Sequence, residues 1–144
     1  KNKQKAINHL IDKGYKKAEL SQSLAKYIKQ DRQTQLLACA VGLLSVIGEL
    51  IITSDPHGDL DNEVVPKFLL SAYLLALWGF EQKIVDAQLI DELPSKKSIS
   101  LTVIHMIVEH VFCNNAFNFN LEEFDFIDDL ALFPDIEQWW LSNK

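Results

Sequence analysis

The feature that most restricts the fold is a pair of segments, residues 33–53 and 63–79, that are apolar on nearly every side. In the first, Leu36, Leu37, Val41, Leu43, Leu44, Val46, Ile47, Leu50, Ile51 and Ile52 leave no polar face at helical spacing; in the second, Phe68, Leu69, Leu70, Tyr73, Leu74, Leu75, Leu77 and Trp78 do the same. A helix without a wet side belongs at the centre of a bundle or inside a bilayer. The unbroken runs at 36–41 and 68–78, the latter holding only Ser71, fall short of the roughly 20 apolar residues needed to span hydrocarbon. Glu49 and Lys67 also lie where hydrocarbon would be. The pattern therefore predicts a bundle with these two helices antiparallel at its centre, and no membrane partner. Gly42, Ser45 and Gly48 would let a neighbouring helix approach closely.

The remaining elements follow from periodicity and breakers. Residues 3–12 carry Ala6, Ile7, Leu10 and Ile11 at helical spacing, and Gly14 reads as a left-handed stop. A second helix is expected over 16–29, with Leu20, Leu24, Tyr27 and Ile28 as its stripe. Asp61 or Asn62 can cap the 63–79 helix, in whose first turn Pro66 is tolerated. An amphipathic helix over 80–93 stops at Pro94, and Gly79 either separates it from its predecessor or bends the two. Residues 99–103 alternate like a strand. Val103, Ile104, Ile107, Val108, Val111 and Phe112 hold a 3.6-residue period for longer, so 99–113 is read as helix throughout. After a loop over 114–120, Asn120 with Glu123 resembles a capping box that opens a helix to about Leu132; Pro134 ends it, and Asp135 caps a short final helix bearing Trp139 and Trp140. The expectation is one all-α domain, 1–144, of six to eight helices. Cys39 and Cys113 sit in apolar stretches and read as buried thiols of a reducing compartment. With no basic-then-apolar leader pattern at the start, a cytoplasmic protein is expected.

Three constellations carry possible chemistry. Asp55, Asp59, Asp61 and Glu63 put four carboxylates within nine residues, but Gly58 stands fourth from Asp55 and no glutamate stands twelfth, so the loop is not an EF-hand. An acidic turn that complements a helix dipole accounts for it. Asp59-Leu-Asp61-Asn-Glu63 resembles the acidic loop of tellurite-resistance B-like helical domains over those five residues, which implies nothing further. His105 and Glu109 share a helix face and His110 does not. The run is one residue too long for H-x-x-E-H, and a hydrogen-bonded pair at a half-buried surface is the plainer reading. Glu49 would have a raised pKa if buried and unpaired, but its place near a helix end offers a route to water. No nucleophile elbow and no glycine-rich phosphate loop is present, Gly being 5 of 144 residues, so neither a catalytic residue nor a cofactor is assigned and no metal is expected.

Charge is distributed unevenly. Residues 1–32 hold nine Lys/Arg against three Asp/Glu, and residues 33–144 hold five against seventeen, a balance of −12 within a chain of net −6. Arg32 is the sole arginine, which argues against nucleic acid as a partner. The C-terminal third sets Phe117, Phe119, Phe124, Phe126, Phe133, Trp139 and Trp140 among acids, with no Lys or Arg between Lys97 and Lys144. Aromatics supply interface anchors and a uniform negative field steers basic partners. Glu122, Asp125, Asp128, Asp129, Phe126, Asp135, Trp139 and Trp140 are therefore the candidate partner-binding residues, on a helix of 121–132 and the tail after it. In size, acidity and lack of catalytic residues the chain resembles the immunity proteins of bacterial contact-dependent inhibition and other toxin–immunity systems, without a shared motif. That resemblance implies a small protein that neutralises a basic toxin or nuclease domain. The alternatives are a helical scaffold acting through an apolar groove and a metal-dependent enzyme built on the 55–63 loop with Glu49, His105 or Glu109.

Overall fold

Seven helices make up the described residues, which in this computed structural model are 2–55, 66–89, 101–114 and 132–143. They are α1 (Asn2–Tyr27), α2 (Arg32–Leu44), α3 (Ile47–Ser54), α4 (Lys67–Leu77), α5 (Gln82–Asp86), α6 (Leu101–Asn114) and α7 (Leu132–Asn143), and no strand occurs among them. The all-α expectation holds. The 3.6-residue period of α6 also prevails over the strand-like alternation, with Val103, Ile104, Ile107, Val108 and Val111 all buried.

Gly14 does not stop a helix, as its neighbours suggested; α1 runs through it as one helix of 26 residues. Its buried face reads Leu10, Gly14, Lys17, Ser21 and Leu24, a spacing of four and three that keeps these residues on one side. At Gly14 a Cβ would stand 3.0 Å from Val46 Cγ2 and 3.2 Å from the Leu43 carbonyl oxygen, so the missing side chain serves close packing. The true end of α1 lies at Tyr27. Lys29 takes φ 62°, and the Gln30 N–H donates to the Ala25 carbonyl at 2.9 Å, closing a left-handed cap.

The apolar segment 33–53 forms α2 and α3 with a break at Ser45 and Val46. Asp31 caps α2 by accepting the Thr34 N–H at 2.7 Å. Val46 offers α3 no side-chain cap, and the Gly48 N–H donates instead to Ser71 Oγ of α4 at 2.8 Å, while that hydroxyl donates to the Ser45 carbonyl at 3.3 Å. Gly42 lies against the α1 backbone, where a Cβ would meet the Lys17 carbonyl oxygen at 2.6 Å. The two apolar segments are thus not paired along their full length. α2 packs chiefly on α1, and only α3 packs extensively on α4, because the glycines bring backbones together at those two places.

Pro66 directly precedes α4, as its missing N–H allows, and Gly79 with φ 79° separates α4 from α5. Pro134 lies inside α7 and does not precede it. One core joins Leu20, Leu24 and Ala25 of α1 with Ala38, the α6 stripe, and Ile136, Trp139 and Trp140 of α7; a second joins Val41, Ala72, Leu75, Ile84, Val85 and Ala87. Residues 32–54 together are long and apolar enough to cross a membrane by length and composition, with mean hydropathy 2.3 and 33% of the most apolar stretch buried. The expectations on 56–65, 90–100 and 115–131 lie outside the described residues.

Candidate functional site

Five charged side chains from four helices form a chain through the interior. Lys13 Nζ of α1 donates to Glu49 Oε1 of α3 at 3.1 Å, and Lys67 Nζ of α4 reaches the same oxygen at 3.0 Å. Lys67 also stands 3.9 Å from Glu109 Oε1 of α6, whose other oxygen pairs with Lys17 of α1. The order is Lys13–Glu49–Lys67–Glu109–Lys17, strictly alternating. Phe68 presents its ring face to Lys67 at 5.0 Å and to Lys17 at 5.8 Å, so both ammonium groups gain a cation–π contact. Cys113 Sγ donates to Glu109 Oε1 at 3.3 Å.

Local sequence explains the placement. Lys17 falls on the heptad-like stripe of α1 and is only 1% exposed, so its ammonium must find a carboxylate inside the bundle. Glu109 follows His105 by one turn on the inward face of α6. Lys67 opens α4 beside Gly48, whose missing side chain lets the start of that helix approach α3.

The electrostatics favour ion pairs over acid–base chemistry. Burial opposes ionisation of Glu49, but Lys67 and Lys13 outweigh it and hold the carboxyl below its ordinary range. Burial likewise opposes Glu109, and Lys17 reverses the direction. The Glu49 carboxyl is thus neither unpaired nor raised. Lys67 loses solvation too, yet Glu49 and Glu109 keep its pKa above the usual lysine value. Lys17 is the exception: its burial is deep enough to lower its pKa despite Glu109.

His105 and Glu109 do not bond to each other at a half-buried surface; both are buried and each has another partner. His105 Nδ1 lies 2.8 Å from the Ala87 carbonyl, which fixes the neutral ring with its proton on Nδ1 and leaves Nε2 without a hydrogen-bond partner. Complete burial, with Lys17 nearby, lowers its pKa to about 4. Its ring stands edge-on to Phe68, centroids 5.5 Å apart. Among the described residues no group of three His, Cys, Asp or Glu side chains is placed to hold a metal ion.

Sequence reasoning singled out Glu49, His105 and Glu109 but missed Lys17, Lys67 and Phe68. The signal was present in part: Lys17 occupies an apolar position of the α1 stripe.

A second feature lies on the outside of α4. Ser71, Ala72 and Leu75 face inward, while Leu69, Tyr73 and Leu77, each one turn apart, are 55, 61 and 63% exposed, and Trp78 is 55% exposed. This helix thus leaves four large apolar side chains, on it or at its end, without cover among the described residues.

Of the proposed partner-binding residues, Glu122, Asp125, Phe126, Asp128 and Asp129 lie outside the described residues, as does the side chain of Asp135. Trp139 and Trp140 are buried and do not serve as exposed anchors. They sit about 100° apart on α7, and a broad apolar stripe against α1 and α6 takes both. The Trp139 Nε1–H donates to Ser23 Oγ at 2.9 Å. No family model, curated protein or solved structure matches this chain, so any functional reading stands on its residues and their geometry.

Proposed function

We propose that this chain is a small binding protein that neutralises a basic macromolecular partner, in the manner of toxin–immunity or nuclease-inhibitor proteins. The observation that carries the reading is the −12 balance of residues 33–144. Of residues 33–144 the interior chain takes Glu49, Glu109 and Lys67, two negative charges and one positive, so nearly all of that surplus lies outside it. A surplus of this sign and size raises the encounter rate with a basic surface. The ionisable groups that looked most like chemistry, Glu49, His105 and Glu109, are occupied in holding helices together or are neutral.

Affinity capture from the native lysate, with the product of the neighbouring gene tested first, is expected to return a basic partner. Its association rate should fall steeply between low and physiological salt. Salt-independent capture of a neutral or acidic partner would remove the electrostatic basis of this reading. The second reading, a helical scaffold working through an apolar surface, draws support from the exposed Leu69, Tyr73, Leu77 and Trp78.

A further inference from the structure

We infer that the outer face of α4 is the docking site for a basic, amphipathic helical segment of the partner; this rests on the reading above and assigns it a surface. Residues 68–80, from Phe68 to Phe80, carry no charge at all, and Lys67 at their start is turned to Glu49 and Glu109. Leu69, Tyr73 and Leu77 make a ridge at spacings of four, and the exposed Ala76 beside them is a low point. Trp78 and Phe80 extend the patch beyond the end of the helix. Together these side chains expose apolar surface on the order of several hundred Å², the size at which a patch marks an interaction site. A ridge of this spacing accepts the groove of a second helix, whose own i and i+4 side chains pack alongside Ala76. Tyr and Trp are also the residues that most often anchor interfaces.

Charge decides what covers the face. A second copy would bring net −6 against net −6, and an anionic lipid surface would meet the −12 of residues 33–144. At the C-terminal end of the patch Glu81 and Asp86 are exposed, with Lys83 between them in sequence. A segment with apolar residues at i, i+4 and i+7 and lysines or arginines beside them satisfies both the ridge and the field.

The test uses a fluorophore-labelled synthetic helix of leucine and lysine, leucines at i, i+3, i+4 and i+7, and its counterpart with glutamate for lysine. Fluorescence anisotropy should show binding of the lysine peptide alone. Tyr73→Glu with Leu77→Glu, and separately Tyr73→Ser with Leu77→Ser, should each weaken it at least tenfold with unchanged far-ultraviolet circular dichroism. Equal binding to parent and variants overturns the α4 assignment while leaving a basic partner in place. Equal binding of the glutamate peptide overturns the charge argument, and no binding of either peptide overturns this inference while the reading beneath it is decided by the salt dependence of capture. A dimer in sedimentation that the Tyr73→Glu variant dissociates would assign the face to a second copy. Flotation with phosphatidylserine vesicles would assign it to lipid.

Discussion

Lys29 and Gly79 hold the same left-handed backbone, φ 62° and 79°, at the ends of α1 and α4. In each case the next residue's N–H reaches five residues back, from Gln30 to Ala25 and from Phe80 to Leu75. Glycine adopts this conformation freely, whereas a side chain costs roughly 1–2 kcal/mol. A Cβ on Gly79 would meet nothing within 4 Å, so the cost of Gly79→Ala is one of backbone alone. We expect a loss of about 1 kcal/mol in urea unfolding, with Lys29→Gly gaining a similar or smaller amount. His105 sets a pH dependence at the same scale. Its folded pKa of about 4 lies below the ordinary 6.5, so the unfolded chain binds the proton first as pH falls. Its contribution is complete above about pH 7 and declines through the window from 6.5 to about 4. Between about pH 7 and 5 the loss should be about 2 kcal/mol. The amide of His105→Asn can place a donor where Nδ1 stands, which keeps the bond to Ala87 and removes the titration. Unfolding free energies of that variant should be flatter over this window; an unchanged slope would mean that another group carries it.

The apolar period of α6 was legible from residues within the helix itself, because Val103, Ile104, Ile107, Val108 and Val111 are buried in one core, with Phe112 packed at its edge. Gly14 was not legible in the same way. A glycine after a lysine looks identical whether it ends a helix or admits a neighbour, and only Leu43 and Val46, some thirty residues on, distinguish the two. The two apolar segments pack most extensively through α3 and α4 and not along their full length, for a related reason. Apolarity on all sides says that an element is covered without saying by what, and the small residues choose the partner. Gly42 assigns α2 to α1, and Gly48 assigns α3 to α4. The second junction is also a hydrogen-bonded one, since Ser71 accepts the Gly48 N–H that the start of α3 cannot satisfy internally. Ser71→Ala should therefore cost about 1–3 kcal/mol, the penalty of a buried donor without an acceptor. Gly48→Ala drives a methyl onto the Lys67 backbone oxygen and should cost at least as much, by overpacking. Chemical denaturation of both variants checks the order; a neutral Gly48→Ala would show that the helices can separate without loss.

Across the whole molecule the sequence divides into a basic beginning and an acidic remainder, and the structure joins the two inside the bundle. Lys13 and Lys17 from the basic part meet Glu49 and Glu109 from the acidic part. Those carboxylates were conspicuous in the sequence because each interrupts an apolar helix. Their partners were not, since an ion pair between residues 36 or 92 positions apart leaves no trace in local spacing. The sharpest test of this arrangement is a double-mutant cycle on Lys17 and Glu109. Glu109→Gln removes the carboxylate and strands an ammonium that is only 1% exposed, which should cost about 3–5 kcal/mol. Lys17→Met leaves Glu109 with Lys67 at 3.9 Å and Cys113 at 3.3 Å, so its cost should be smaller, about 1–3 kcal/mol. The double variant puts an apolar stem and a neutral amide where the pair stood and should lie within about 1 kcal/mol of the parent, because desolvation of both charges is removed together with their attraction. Glu109 also carries a pH signature: its pKa is lowered in the fold, so its stabilisation is present above the ordinary carboxylate value and fades as pH falls through the depressed one. Both Gln variants should lack that acid limb. If the double variant is as unstable as the worse single one, the pair is not an independent unit, and the alternating chain from Lys13 to Lys17 acts as one cooperative network.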